Sequence, residues 1–264
     1  MKRARTEPTA AAGLRARLDA GDPIGAVWLA LGSPAAAEAM THSRPDAAVF
    51  DLQHGLWTRD RLESAIIAVS PRTIPLVRTL SSRTEDIAVA LEAGAAGVIV
   101  PMVDDVETAR AAVAATRYPP HGIRSAGGIR PLFDFPAHFA ADQKDPPFVG
   151  VMIETVAGLE AAAEIAAVDG VDLIFIGTGD LALSLGEFPN VGARHTEAVA
   201  KILSDARSAE CAGGAFSINE TVGAKWRALG AQFTILASDA EALRLATTDA
   251  LAQFRKAPRP KLGS

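Results

Sequence analysis

Cysteine is nearly absent from this 264-residue chain, with Cys211 the single copy. That excludes an internal disulfide and a cysteine-rich metal site, and leaves Cys211 as an inert packed thiol near a helix end. Lysine is scarce as well. Lys2, Lys144, Lys201, Lys225, Lys256 and Lys261 all fall outside the stretches with strand character. A Schiff-base enzyme needs a desolvated lysine in its pocket, so a metal is favoured over an imine as electron sink. No G-x-G-x-x-G turn follows an early strand, which speaks against a dinucleotide-binding open sheet. No apolar run approaches the ~18 residues that a membrane span needs. The net charge of −5 argues against a nucleic-acid partner, for which a clustered basic surface is expected. The opening MKRARTEP is basic, but Arg and Asp interrupt the AAAGLRARLDAG behind it, unlike a secretory signal. A soluble cytoplasmic protein is expected.

What the chain does have is apolar sequence in short runs. Hydrophobic residues make up 49% of it, enough for a large core. Eight runs recur: GAVWLA (25–30), AAVFDL (47–52), IPLVR (74–78), AGVIVPM (96–102), FVGVMIE (148–154), VDLIFIG (171–177), GGAFSI (213–218) and FTILAS (233–238). Most lack clean alternation, which is how strands buried on both faces read. Ala-rich segments of helical spacing lie between them, such as RDRLESAIIAV and GLEAAAEIAAV. Strand-then-helix, repeated eight times, predicts one α/β domain over 1–264. The form is a (β/α)8 TIM barrel with its core at about 24–255. A doubly wound open sheet is the alternative. One connection, about 30 residues between 117 and 148, is long enough to be functional or partly structured. The stretch DAEALRLATTDALAQFR reads as a long amphipathic helix, and the tail KAPRPKLGS as mobile. Its stripe of Leu243, Leu245, Leu251 and Phe254 exceeds what an eighth helix needs, so it is expected to pack on a neighbouring subunit.

Chemistry-bearing side chains fall at the carboxyl ends of the runs. Asp51 and His54 close VFDLQH, Arg78 closes IPLVR, Glu154 closes VGVMIE, and Asp180 follows VDLIFIG. In a parallel barrel all strand ends meet in one cup, where active sites of this fold sit. Glu154 and Asp180 are one βα unit apart, hence on adjacent strand ends ~4.8 Å apart. Two carboxylates there can share Mg²⁺ or Mn²⁺ with positions left for water and substrate. The competing reading makes each a helix cap, Glu154 before TVAGLEAAAEI and Asp180 before LALSL. His54, flanked by Asp51 and Gln53, suits a general base or, alternatively, a packed or capping residue. Arg78, so close to a buried strand, needs an anionic partner. That partner is a substrate carboxylate or enolate, or else Asp51 or Glu92.

Longer motifs then line up in order. FDLQHG is similar to an I-D-x-E-H segment, and GVIVPMVDDVETARAAVAATRYPPHGIRS to a V-P-M…A-T-R-Y-P-P-x-G-x-R-G stretch. MIET and DGVDLIFIGTGDLALSLG look like Q-I-E-T and D-G-V-D-x-x-F-I-G-P-x-D-L-S segments. Together, over roughly residues 24 to 255, they resemble the HpcH/HpaI aldolases, a family of metal-dependent pyruvate aldolases.

That resemblance implies a (β/α)8 barrel assembled as a homohexamer, a trimer of dimers with the C-terminal helix exchanged between neighbours. It implies reversible cleavage of a 4-hydroxy-2-oxo acid to pyruvate and an aldehyde. The cofactor would be a divalent metal cation (Mg²⁺, Mn²⁺ or Co²⁺), with no organic cofactor. Glu154 and Asp180 would bind the metal, and the Gly179 and Asp180 amides would meet the pyruvate carboxylate. His54 would be the base and Arg78 the enolate stabiliser, with Asp51 and Gln53 in support. Glu92 stands where the family has an Asp that orients the His. Departures surround the pocket: Gln53 for Glu, Met152 for a substrate-contacting Gln, Thr178-Gly179 for Pro-Ala. TLSSRTED, including Ser81 to Arg83, replaces a segment that carries Trp-Asn-Asp. The expected function is therefore a metal-dependent carbon–carbon lyase. The alternatives are a citrate-synthase-like enzyme joining acetyl-CoA to oxaloacetate, and a non-catalytic oxo-acid-binding barrel.

Overall fold

The computed structural model describes residues 9–133 and 135–256. The basic start with Lys2, and most of the tail with Lys261, lie outside the described residues. In chain order the elements are α1 (Ala10–Asp19), β1 (Ile24–Leu29), α2 (Pro34–Thr41), β2 (Ala47–Asp51), α3 (Arg59–Val69), β3 (Ile74–Arg78), α4 (Thr84–Glu92), β4 (Gly97–Val100) and α5 (Val106–Thr116). There follow α6 (Ile129–Leu132), α7 (Phe135–Lys144), β5 (Phe148–Ile153), α8 (Val156–Ala166), β6 (Leu173–Ile176), α9 (Thr178–Ser184) and α10 (Ala193–Ser208). The chain ends in β7 (Ala212–Ala215), α11 (Glu220–Ala228), β8 (Phe233–Ser238) and α12 (Asp239–Lys256). Each strand pairs in parallel with the next, and β8 pairs back onto β1. All eight apolar runs are strands of one closed barrel, as expected for a TIM barrel. The described lysines all lie on helices.

Strand alternation decides what faces the barrel axis. Trp28, Val49, Leu76, Ile99, Met152 and Phe175 pack together inside. Their chain neighbours Phe50, Val77, Val98 and Val151 pack outward among the helices. Counting by two along the inward rows leads from Val49 to Asp51 and from Leu76 to Arg78. The same count leads from Met152 to Glu154 and from Phe175 to Gly177. The polar cup is thus the last layer of an otherwise apolar interior.

Helix starts follow local chemistry. The Ser33, Asp105, Thr155 and Asn219 side chains each accept an amide of the following helix's first turn, which satisfies donors that helix geometry leaves open. At the strand-start end, Leu14 and Leu18 of α1 bury against Ile24, Ala47 and Phe148 and close the barrel's floor. The long connection lies at this same end. It folds into α6 and α7, and with Thr73 it walls a cleft of about 730 Å³.

The last helix, α12, buries only Asp239. Asp239 accepts the Ala30 amide at 2.9 Å and the Leu31 amide at 3.0 Å, which ties the helix start to the end of β1. Leu243, Leu245, Leu251 and Phe254 are exposed. No helix among the described residues is long and apolar enough to cross a membrane.

Candidate active site

At the strand ends of β2 and β3, which pair in register, Asp51 stands opposite Arg78. Both are buried, and two hydrogen bonds join them: Arg78 Nε to Asp51 Oδ1 at 2.8 Å and Nη2 to Oδ2 at 2.6 Å. Trp28 Nε1 donates to Asp51 Oδ2 at 3.2 Å, and the Gln53 and His54 amides donate to Oδ1 at 3.0 and 3.1 Å. Burial alone would raise the Asp51 carboxyl. The Arg78 hydrogen bonds and charge outweigh that and hold it below the usual carboxylate range. The guanidinium carbon lies 4.9 Å from the Trp28 ring centroid, in reach of a cation–π contact. Arg78 therefore takes the ion-pair partner that its position demanded, and its Nη1 has no hydrogen-bond partner among the described residues.

Across the cup, Glu154 follows β5 and is 1% exposed. Its Oε1 accepts the Met102 amide at 2.7 Å. Met102 has φ +55, a left-handed conformation that costs a non-glycine residue energy and here aims its N–H at the carboxylate. Oε2 of Glu154 is buried without a partner. Burial pushes the Glu154 carboxyl up, and the charge of Asp180 adds to this against the Met102 amide and Arg78. A Cβ on Gly177 would fall 2.3 Å from Oε2, so only glycine at 177 leaves the carboxylate its place. The capping alternative for Glu154 is not realised, because Thr155 caps α8. Asp180 lies exposed in the first turn of α9, beside exposed Gly179, and that helix has no side-chain cap.

The remaining expected residues distribute unevenly. His54 is exposed just beyond Asp51, at the rim of the cup. Gln53 keeps a buried Oε1 without a partner. Met152 is buried inside the barrel, one inward step below Glu154. Ser81 donates to Asp86, and Arg83 is an exposed partner of Glu85. Glu92 ends α4 and bonds Arg59 Nη2 at 2.8 Å. Among the described residues it has no hydrogen bond to His54. Trp28, Met102 and Gly177 were not singled out as site residues from sequence. Trp28 and Gly177 could have been found by counting in twos along the inward rows. The V-P-M motif pointed at Met102 without giving its conformation.

No cluster of three His, Cys, Asp or Glu side chains suited to a metal occurs among the described residues. Besides Asp51, which Arg78 holds, this cup offers the carboxylates of Glu154 and Asp180, and they fit a hard cation that keeps several positions for water and substrate oxygens. The partnerless Oε2 of Glu154 and the neighbouring Asp180 charge are the features that such a cation would satisfy.

Residues 25–246 match the HpcH/HpaI aldolase/citrate lyase family. The chain is 32% identical over 254 residues to a hydroxypyruvate/pyruvate aldolase of Paraburkholderia phytofirmans, covering 92% of this chain and 97% of that one. It is 33% identical over 242 residues to a 4-hydroxy-2-oxo-heptane-1,7-dioate aldolase of Salmonella heidelberg, covering 86% and 90%. The crystal structure of the citrate synthase SbnG superposes with a TM-score of 0.81 at 32% identity, covering 92% and 97%. The chain belongs to the HpcH/HpaI aldolase/citrate lyase family.

Proposed function

We propose that this protein is a divalent-metal-dependent carbon–carbon lyase. It cleaves a 4-hydroxy-2-oxo acid reversibly to pyruvate, or a related 2-oxo acid, and an aldehyde. The observation that carries this reading is the buried Glu154 carboxylate, with one oxygen unpartnered, in a cup that also holds Asp180 and Arg78. Two relatives named as aldolases of oxo acids support it.

Glu154 and Asp180 would hold the cation, and the chemistry it would supply there is Lewis-acid polarisation of the substrate's keto oxygen. His54, at the rim, takes the proton of the 4-hydroxyl. As the C3–C4 bond breaks, its electrons pass into the enolate of the oxo acid and the aldehyde leaves; the enolate then takes a proton at C3 from water to give the 2-oxo acid, and His54 returns its proton to water. Arg78, aimed by Asp51 and Trp28, sets fixed positive charge where the enolate oxygen develops charge, worth about 3 kcal/mol. The Gly179 and Asp180 amides receive the substrate carboxylate, and Met152 forms apolar floor below them. Glu92 orients the His54 ring only by exchanging its Arg59 partner. The exposed stripe of α12 packs on another copy in a homohexamer, and a monomer by light scattering at micromolar concentration would refute that assembly.

The experiment follows deuterium entry into the pyruvate methyl group by NMR, beside aldol cleavage. Arg78→Ala should suppress both, because both pass through the enolate. His54→Ala should cut cleavage by about 10²–10⁴-fold and exchange by less. Near-normal cleavage by His54→Ala would make His54 a structural residue. One observation favours a second reading, a condensing enzyme: the likeness to a citrate synthase. Turnover of acetyl-CoA with oxaloacetate, and none of pyruvate with aldehydes, would select it.

A further inference from the structure

Asp180 has an exposed side chain on a helix of seven residues, and Gly177 at the cap position before it offers no capping side chain. So short a helix has little stability of its own. Something else must fix the backbone that carries this carboxylate. One side chain and one backbone carbonyl from other elements meet the first residue of α9. His195, on α10 and 2% exposed, places Nε2 2.8 Å from the Thr178 carbonyl oxygen. A carbonyl only accepts, so Nε2 carries the proton and the tautomer is fixed. The imidazole packs edge-on against Trp226 at 5.9 Å, and the His195 amide donates to Glu187 at 3.0 Å, so the ring has a set place. From the other side, Thr178 Oγ1 donates to the Phe216 carbonyl at 3.2 Å. That same carbonyl accepts Trp226 Nε1 at 3.1 Å.

We infer that His195 and Thr178 form a clamp that positions Asp180 for cation binding, with His195 a positioning residue that touches neither substrate nor cation. The clamp ties the first turn of α9 to α10 and to the end of β7, so that Asp180 is presented toward Glu154 without contacts of its own. It rests on the reading of Glu154 and Asp180 as the cation ligands. Partners that orient a metal ligand are worth about 10–100-fold in metal affinity when removed.

The test titrates the purified full-length protein with Mn²⁺ and reads free Mn²⁺ by EPR, with melting temperature as a control. His195→Phe keeps the ring against Trp226 and loses the donor. It should weaken Mn²⁺ binding about 10–100-fold and raise KM for the oxo acid more than it lowers kcat. His195→Gln, which keeps an N–H donor, should recover much of the affinity. Should His195→Phe fail to fold, Thr178→Val, which removes only the hydroxyl bond, carries the test, and a several-fold loss of affinity is expected. Wild-type affinity in whichever of the two variants folds overturns the clamp. Absence of Mn²⁺ binding by the wild-type protein overturns the cation reading itself, and the clamp with it.

Discussion

Two buried arginine–aspartate pairs sit at opposite ends of this barrel, and their carboxyls are driven in opposite directions. Asp51–Arg78 closes the strand-end cup, and Asp142–Arg124 lies in the long connection at the strand-start end. All four side chains are between 3% and 7% exposed, so burial does not separate the pairs. Yet Asp51 is held below the usual range, and Asp142 is pushed up to about 6. The difference is donors, with the like charge of Asp145 adding to the rise at Asp142. Asp51 accepts five hydrogen bonds, two from Arg78, one from Trp28 and two from amides. Asp142 accepts one from Arg124, at 3.2 Å, and its Oδ2 has no partner among the described residues. Hydrogen bonds to the charged form decide whether a buried carboxylate stays charged, and an ion pair alone does not offset desolvation.

Glu154 sharpens this contrast because it stands in the cup yet resembles Asp142. It too has one donor, one partnerless oxygen and a raised carboxyl. A cation would supply what the protein withholds. The largest effect is therefore expected from Glu154→Gln and from Asp180→Asn. Each should lower aldol turnover by about 10³-fold, the equivalent of several kcal/mol of Lewis-acid stabilisation. Neither should lower the melting temperature, since a neutral amide relieves burial at 154 and Asp180 is exposed. EDTA should reproduce the loss, and added Mg²⁺, Mn²⁺ or Co²⁺ should reverse it. Full turnover by exhaustively chelated enzyme would remove the cation from the mechanism.

The arginines come next. Arg78→Ala removes the charge that the proposed mechanism assigns to the enolate and strands a multiply bonded anion. Turnover should drop by about 10²–10³-fold, and stability by about 3–5 kcal/mol as for a broken buried pair. Arg124→Ala should leave turnover of the folded enzyme unchanged. Its stability cost should be nearer 1–3 kcal/mol, because Asp142 can take up a proton near neutrality. Equal costs in denaturant unfolding would show that the two pairs do not differ as their donors suggest.

Much of this was legible in sequence, for identifiable reasons. Period-two strands of known end position place Asp51, Arg78 and Glu154 on one cup before any coordinates exist. The barrel was legible because most of the eight strands are apolar on both faces. What sequence does not carry is tertiary placement within a few ångströms. The left-handed turn at Met102 is a non-glycine exception to backbone preference. The room that Gly177 makes for Glu154 exists only once β5 and β6 are paired. Glu92 takes its expected role from motif position, yet its hydrogen-bond partner in the fold is Arg59, set by how α3 and α4 pack. The length of the 117–148 connection predicted function or partial structure. It proved to carry two helices at the end remote from the cup, where Arg124 and Asp142 meet.

The smallest effect is also the most direct test of the comparison, because it reads the two carboxyls by the pH dependence of stability. A raised carboxyl binds its proton more tightly in the folded state. Its contribution is present below the unfolded value and is lost as pH rises through the folded one. For Asp142, with an ordinary value of 3.8 and a folded value of about 6, wild type loses stability between roughly pH 4 and pH 6 and is level above. The full span is on the order of 3 kcal/mol. Asp142→Asn mimics the protonated form, so it should match wild type near pH 4 and exceed it at pH 8. Asp51 should behave in the opposite sense. Its depressed carboxyl contributes stability above the ordinary value, and that contribution is lost as pH falls through its lower folded value. Asp51→Asn should therefore be less stable than wild type at pH 7, and the gap should narrow only below about pH 4. Urea unfolding of both variants and wild type across pH 3.5 to 8 measures the slopes. Slopes of the same sign at both positions would mean that pairing with arginine, and not the number of donors, governs these buried carboxyls.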